Sequence, residues 1–422
     1  MQNQQTKAGG LSVGQISAVA AGNALEFYDF LIFGFFAVQI GAVFFPGHSP
    51  TGSLLLTLAT FGVGFLTRPL GGALIGPLGD RVGRKPAMLF SFGLMGLAIV
   101  GLALTPSYAS IGVAAPVLVV LFRLLQGFAM GGEVGPTTAF LMEAAPPEKR
   151  GLYVSLQFAT QQVALVAAGI VGVVLAKLLP PADMTAWGWR AAMLLGATVV
   201  PFALVMRRHL PETFERQPHI KMPRPTREQV KLGLLMLVMA ASATIATYTL
   251  NYLNIYATHT LGMSSALAFG GVAVAGICGA IANPIGGWLG DRFGRKPVMI
   301  CAFGLLCLAG LPCFLVISNL RTAAALYGCV ALMATLLALG LPTIIASLSE
   351  SLPPQIRSGG IGIVYAVAVA GFGGSASFVV AWLIEVTGSP LAPAWYMCAA
   401  LVLGLCAMLA VRESAPIKTG VK

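Results

Sequence analysis

Runs of roughly 20 apolar residues recur along this 422-residue chain, each long enough to cross a hydrocarbon core of about 30 Å as a helix. Unpaired backbone groups are not tolerated in lipid, so segments of this kind are either helices or the strands of a closed barrel. The runs are long and lack two-residue alternation, which points to helices. Composition agrees. Hydrophobic residues make up 57% of the chain and charged residues 9%, with a mean hydropathy of +0.86. A soluble domain carries about 25% charged residues to wet its surface.

Spans are placed near 14–45, 53–78, 87–104, 112–142, 152–178, 189–208, 230–258, 264–289, 298–318, 322–349, 359–385 and 392–411, twelve in all. The expected fold is an all-α polytopic membrane protein. The formal net charge of +11 would fit nucleic acid, but its distribution argues otherwise. With both termini placed in the cytoplasm, most lysines and arginines between spans fall on that side. The other side holds Lys177, Arg190 and Arg321. Such asymmetry is topological and fixes orientation. The seven cysteines, Cys278 to Cys406, all lie in apolar runs of the second half without metal spacing, and read as small core residues. The first residues lack a cleavable-signal pattern, so the first span is expected to remain in the mature protein.

The chain repeats itself. Residues 76–86 read GPLGDRVGRKP and residues 287–297 read GWLGDRFGRKP. Asp80, Arg81, Gly83, Arg84 and Lys85 thus match Asp291, Arg292, Gly294, Arg295 and Lys296 at an offset of 211. Glu143 and Arg150 follow span four, and Glu350 and Arg357 follow span ten, with the same internal spacing of seven. Two matches at nearly one offset indicate a duplication of six spans. The expected domains are residues 1–208 and 230–422, joined by a polar cytoplasmic linker over 209–229 whose prolines argue against one continuous helix.

The repeated D-R-x-G-R-K loop resembles the signature of the major facilitator superfamily. GNALEFYDFLIFG (22–34), GFLTRPLGG (64–72) and FRLLQGFAMGGEVGPTTAFLMEAAPPEKRG (122–151) resemble its metabolite:proton symporter branch, and within it the citrate–proton and tricarballylate carriers. QFATQQVA (157–164) and WGWRAAMLLG (187–196) extend the likeness. The resemblance implies a transporter of the bacterial inner membrane working by alternating access. The loop charges also make sense physically: an acid followed by bases at a tight glycine turn can pin helix ends, whose dipoles favour anions at N-termini and cations at C-termini. Remaking such pairs at one face biases inward-open against outward-open states. The alternative is that they set topology alone.

A charge at mid-bilayer costs several kcal/mol and normally marks a pathway. Glu26, Asp29, Arg68, Arg123 and Glu133 all lie inside first-half spans. Depth follows from a rise of about 1.5 Å per residue. Asp29 and Arg123 should lie at middle to outer depth, with Glu26 one turn inward of Asp29. Arg68 and Glu133 should lie together in the inner half. The expected pairs are therefore Asp29 with Arg123 and Arg68 with Glu133. In the resembled superfamily, an acid on the first helix commonly faces an arginine on the fourth. A carboxylate beside arginine stays ionised, and one without its partner takes a proton. An anion competing for Arg123 would then bind together with a proton. Static bridges are the bland alternative.

Span seven carries Thr247, Asn251, Asn254 and Thr258 on one stripe, with Tyr248, Tyr252 and Tyr256 beside it. These suit a hydrated cavity wall, although Tyr256 also fits an interfacial aromatic belt. Gln157 and Gln161 on span five and Tyr365 on span eleven are further candidates. Consecutive G-x-x-x-G steps at Gly127 and Gly131 on span four are read as close helix packing.

The expectation is a proton-coupled importer of a small organic anion, a di- or tricarboxylate, acting as a monomer. Arg123 and Arg68 would be anion anchors, since a guanidinium matches a carboxylate in bidentate geometry. Asp29, Glu26 and Glu133 would be candidate proton carriers. No cofactor, metal or nucleic-acid partner is expected. The rivals are a symporter of a zwitterion such as proline or betaine, favoured by tyrosines that could box a cation, and a membrane-embedded enzyme or sensor. The last lacks any nucleophile–base set in the sequence.

Overall fold

Ser49, Ser264 and Thr322 each start a long apolar helix by capping it. Ser49 Oγ accepts from the Gly52 amide at 3.1 Å, with Pro50 in the first turn. Ser264 and Thr322 accept from Leu267 and Ala325 amides at 3.4 and 3.3 Å. Such caps satisfy amides that a helix start leaves open, and proline is tolerated there for the same reason. A computed structural model of the chain describes residue 24 and residues 27–82, 84–131, 145–197, 227–351 and 364–420, with backbone alone over 76–82 and 84–89.

The described helices of eight residues or more are α1 (Phe27–Phe35), α2 (Ala37–Phe44), α3 (Pro50–Leu66), α4 (Arg68–Val82), α5 (Arg84–Leu104), α6 (Ala114–Met130), α7 (Arg150–Leu178) and α8 (Trp189–Ala197) in the first half. The second half has α9 (Arg227–Ile255), α10 (Ser265–Phe293), α11 (Arg295–Leu320), α12 (Ala323–Glu350), α13 (Gly374–Thr387) and α14 (Ala392–Ala410). Eight described segments are long and apolar enough to cross a membrane, or nine if α1 and α2, bent by 66°, count as one broken span. A described helix overlaps each of the twelve expected stretches, but those in stretches four and six are shorter than a full crossing among the described residues, and in stretch three side chains are described only from Phe90 onward.

The surface confirms the solvent. Leu66, Leu70 and Leu74 are exposed at four-residue spacing, as are Ile277, Ile281 and Ile285 on α10. Rows of bare aliphatic side chains along helices suit lipid and not water. The chain is an all-α polytopic membrane protein.

The halves meet along two glycine-lined seams. Along the first, α7 and α10 run antiparallel. A Cβ on Gly169 would lie 2.5 Å from the Ala273 nitrogen, and one on Gly276 would lie 2.7 Å from the Val166 nitrogen. Along the second, α3 meets α13, where a Cβ on Gly374 would lie 2.9 Å from the Gly62 carbonyl oxygen. Without a hydrophobic drive between helices in lipid, such backbone approach supplies the contact. Inside the first half, a Cβ on Gly127 would drive into the Gly64 carbonyl, and one on Gly131 into that of Arg68. The glycine steps of span four thus draw α6 onto α3 and α4, which sets the distance between the two arginines those helices carry.

Candidate binding site and gate

Arg123 is fully buried on α6, which passes close to Gly64: a Cβ there would lie 3.1 Å from the Arg123 carbonyl oxygen. Its guanidinium donates to Gln126 Oε1, one turn along the same helix, and to the Phe61 carbonyl at 3.4 Å. Its Cζ sits 4.5 Å from the Phe33 ring centroid, 4.8 Å from Phe30 and 5.0 Å from Phe61. Arg68 starts α4 and lies against the same cluster, 4.4 Å from Phe30 and 4.3 Å from Phe65. Phe30 therefore contacts both guanidinia. Each cation–ring contact is worth about 2 kcal/mol when desolvated. That steadies a cation without neutralising it.

The second half closes the cluster with Tyr248 on α9, whose ring meets Phe65 at 5.6 Å and Phe61 at 6.3 Å. Tyr248 is buried within electrostatic reach of both arginines, and Tyr365 is within reach of Arg68. A five-residue π-helical turn, Val369–Gly373, lies beside Tyr248, where a Cβ on Gly373 would come within 2.9 Å of the tyrosine ring. Such turns often mark functional sites. The arrangement offers cationic donors from one half and hydroxyls from the other.

Asp29 does not join this cluster. Among the described residues it makes no ion pair, and its Oδ1 has no hydrogen-bond partner although the residue is 3% exposed. It packs instead on Gly196 of α8, and the adjacent Tyr28 Oη donates to the Ala192 carbonyl at 3.1 Å. The expected Asp29–Arg123 pair is thus corrected: Phe30 and Phe33 carry the arginine on one face of α1, and Tyr28 and Asp29 occupy another. Arg68 donates to Met130 Sδ at 3.7 Å. Its expected partner Glu133 lies outside the described residues, as do Glu26, Glu143 and Arg357 and the side chains of Asp80, Arg81, Arg84 and Lys85 with Gly83.

The span-seven stripe divides. Asn254 Nδ2 donates to the Phe35 carbonyl at 2.9 Å, at the bend between α1 and α2, and thereby ties the halves together. Asn251 and Asn254 line a small cavity with Leu165, Val272 and Val330. Tyr252 goes into the apolar core and not to the arginines. Tyr256 is fully buried, donates to the Pro390 carbonyl at 2.8 Å and packs edge-on against Phe314, so it belongs to no interfacial belt. Gln157 is buried, and Gln161 Nε2 lacks a hydrogen-bond partner among the described residues.

The second-half loop motif makes a charge network that crosses the halves. Asp291 accepts from the Gly151 and Leu152 amides at 2.9 and 2.8 Å, at the N-terminus of α7, where the helix dipole favours an anion. Arg295 lies 2.7 Å from Asp291 and 2.8 Å from Glu350, with its side chain 1% exposed. Gly294, at φ 107°, makes the turn between α10 and α11 that other residues rarely adopt. Arg292 leaves the network. One position past Asp291, it turns outward over the exposed Trp288 and Phe293 rings at 5.4 and 5.7 Å, which corrects its expected place in the gate. Lys296 Nζ donates to the Leu409 and Val411 carbonyls at the end of α14. Arg150 is half-buried, and its Nε has no hydrogen-bond partner among the described residues.

Sequence reasoning missed two groups. Phe30, Phe33, Phe61 and Phe65 gave no signal beyond their nearness to charged positions. Glu413 caps α11 by accepting from the Arg295 and Lys296 amides at 2.9 and 3.0 Å, and Ser414 Oγ donates to Glu350 at 2.9 Å. Their partners lie more than sixty residues away in sequence.

A lipid-facing helical protein whose halves enclose buried cations, with a charge-pinned seam at one end, is built to pass a solute. Comparison with known proteins names the class. Residues 15–217 match the Sugar (and other) transporter family and residues 235–421 match the Major Facilitator Superfamily. The chain is 36% identical to the citrate-proton symporter of Klebsiella pneumoniae over 95% of its own length and 92% of the relative's. It is 34% identical to the alpha-ketoglutarate permease of Escherichia coli (90% and 89% covered), and 31% identical to the proline/betaine transporter of Salmonella typhimurium (96% and 84%). Its fold superposes on a D-xylose-proton symporter with a TM-score of 0.78 at 17% identity, covering 95% and 98% of the two chains. A human organic anion transporter superposes with a TM-score of 0.65 at 18% identity (94% and 100% covered). The chain belongs to the major facilitator superfamily, in the broad branch of metabolite:proton symporters. It is a multi-pass membrane transporter and not an enzyme.

Proposed function

We propose that this protein is a proton-coupled symporter that imports a small organic anion, a di- or tricarboxylate such as citrate or tricarballylate. One observation carries the proposal: Arg123 is fully buried against aromatic rings with no carboxylate partner among the described residues. A buried cation without a counter-ion is costly, and a carboxylate solute supplies the missing charge in bidentate geometry. Arg68 would share the anion. Tyr248 and Tyr365, from the second half, would bind its remaining oxygens. Asp29 would carry the proton, with Glu26 and Glu133 as further candidates. Relatives that are named for citrate and for 2-oxoglutarate support this reading.

The transporter is proposed to have twelve spans in two bundles of six, residues 1–208 and 230–422, joined by the linker at 209–229. It would lie in a bacterial inner membrane as a monomer with both termini in the cytoplasm. The Asp291–Gly151 contact then closes the cytoplasmic end, and Asn254–Phe35 the outer end. Alternate breaking of these contacts gives access to each side. The zwitterion rival is supported by the relatives named for proline and betaine. Against it, the faces of Phe30, Phe33, Phe61 and Phe65 are already occupied by guanidinia, which leaves little open aromatic surface for a quaternary ammonium.

Binding to purified protein across citrate, tricarballylate, 2-oxoglutarate, shikimate and betaine tests the substrate class. A carboxylate should bind best. Preferential binding of betaine would overturn the proposal.

A further inference from the structure

Asp29 occupies a place made by an absent side chain. A Cβ on Gly196 would run into Asp29 Oδ1, and would lie 2.9 Å from its Cγ and 3.0 Å from Tyr28 Cδ1. Tyr28 Oη holds the register of this contact through the Ala192 carbonyl, one turn before Gly196 on the same helix. The carboxylate is thus 3% exposed and tightly fitted, with Oδ1 unpartnered. A proton is the smallest partner that can satisfy an oxygen in so close a space.

Among the described residues, the charged and titratable surroundings are sparse. Tyr28, on α1 itself, is the titratable side chain beside Asp29. On α8, Arg190 is committed to the Ala103 and Thr105 carbonyls and stacks 4.4 Å from the Trp189 ring. Arg123 on α6 and Arg68 on α4 are turned to the Phe30 side of α1. α2 and α3 carry no titratable residue, and those of α7 sit toward its ends, at Arg150, Tyr153 and Lys177. No described cation neutralises the carboxylate, so its charge state depends on the fit against α8.

We infer that Gly196 is a positioning residue for proton coupling: its lack of a side chain forms the pocket in which the Asp29 carboxyl gains and loses its proton. This rests on the proposed role of Asp29. It adds that α8 is the helix against which the Asp29 carboxyl is fitted. A glycine needed for helix packing alone would affect every transport mode alike. One that shapes the proton site would affect coupled transport most.

The test uses reconstituted full-length protein with radiolabelled citrate and 2-oxoglutarate as probes. Accumulation driven by a pH gradient is compared with solute counterflow, which moves no net proton. Gly196→Ala should lower accumulation about tenfold relative to its own counterflow rate, and should move the pH dependence of uptake by about one unit. Asp29→Asn should abolish accumulation. Since Gly196→Ala could fail to fold, Gly196→Ala is also made together with Asp29→Ser, whose shorter side chain restores the space; this double variant should fold. Equal loss of accumulation and counterflow in Gly196→Ala, with Asp29→Asn still separating the two, would leave the glycine a packing residue only. A double variant that fails to fold would lead to the same conclusion. If Asp29→Asn retains full accumulation, the coupling role of Asp29 falls, and the inference falls with it.

Discussion

Arg295 and Arg123 are both 0% exposed, yet they are buried in opposite ways. Arg295 lies between Asp291 and Glu350 at 2.7 and 2.8 Å, and its charge is fully answered by protein. Arg123 has a glutamine, a backbone carbonyl and three aromatic rings, and no carboxylate among the described residues. A buried pair adds little net stability but costs much to break, whereas a buried cation lacking its anion can take one that arrives from outside. On the proposed reading, one arginine belongs to the gate and the other to the cargo.

Removing each should fail in its own way. Arg295→Met strands Asp291 and Glu350, and should destabilise the protein by about 3–5 kcal/mol, read as a lowered unfolding midpoint in detergent. Arg123→Gln should leave that midpoint nearly unchanged and raise the Kd for the bound carboxylate about a hundredfold, a loss of about 2.7 kcal/mol. Similar unfolding penalties for the two would erase the distinction.

Two smaller effects sharpen it. Asn254→Ala removes one hydrogen bond between the halves, about 1 kcal/mol. With the seven native cysteines replaced, outer-face labelling of Val38→Cys should then rise about fivefold. An unchanged rate would mean that the Asn254–Phe35 contact does not hold the outer end closed. Phe30→Leu removes the ring that both guanidinia share and should weaken carboxylate binding by about 0.5–1 kcal/mol, a few-fold in Kd. Tighter binding would show that the ring competes with the anion.

The parts of this account that were legible in sequence are those that sequence records directly. The D-R-x-G-R-K repeat placed Asp291, Gly294 and Arg295 at a turn between helices, and the structure has them there. Arg68 and Arg123 stood out because charge is rare in apolar spans, but helix rise put them in separate pairs at different depths, whereas the structure sets both against the Phe30 ring. The pairing of Asp29 with Arg123 was not legible. Rise per residue gives height in the membrane, but one residue along a helix turns the side chain by about 100°. Asp29 and Phe30 are neighbours in sequence and face different helices. The aromatic ring cluster was hidden for another reason: phenylalanine is unremarked in an apolar span until a guanidinium is found above it. Glu413 was hidden by distance along the chain, 118 residues from Arg295.

The most direct test of the central claim is proton movement on addition of solute. Proteoliposomes containing the protein and a pH-sensitive dye in the lumen are given citrate, tricarballylate, 2-oxoglutarate or betaine from outside. At least one carboxylate should acidify the lumen, betaine should not, and Arg123→Gln should abolish the response. Acidification by betaine alone, or carboxylate uptake without proton movement, would contradict the claim.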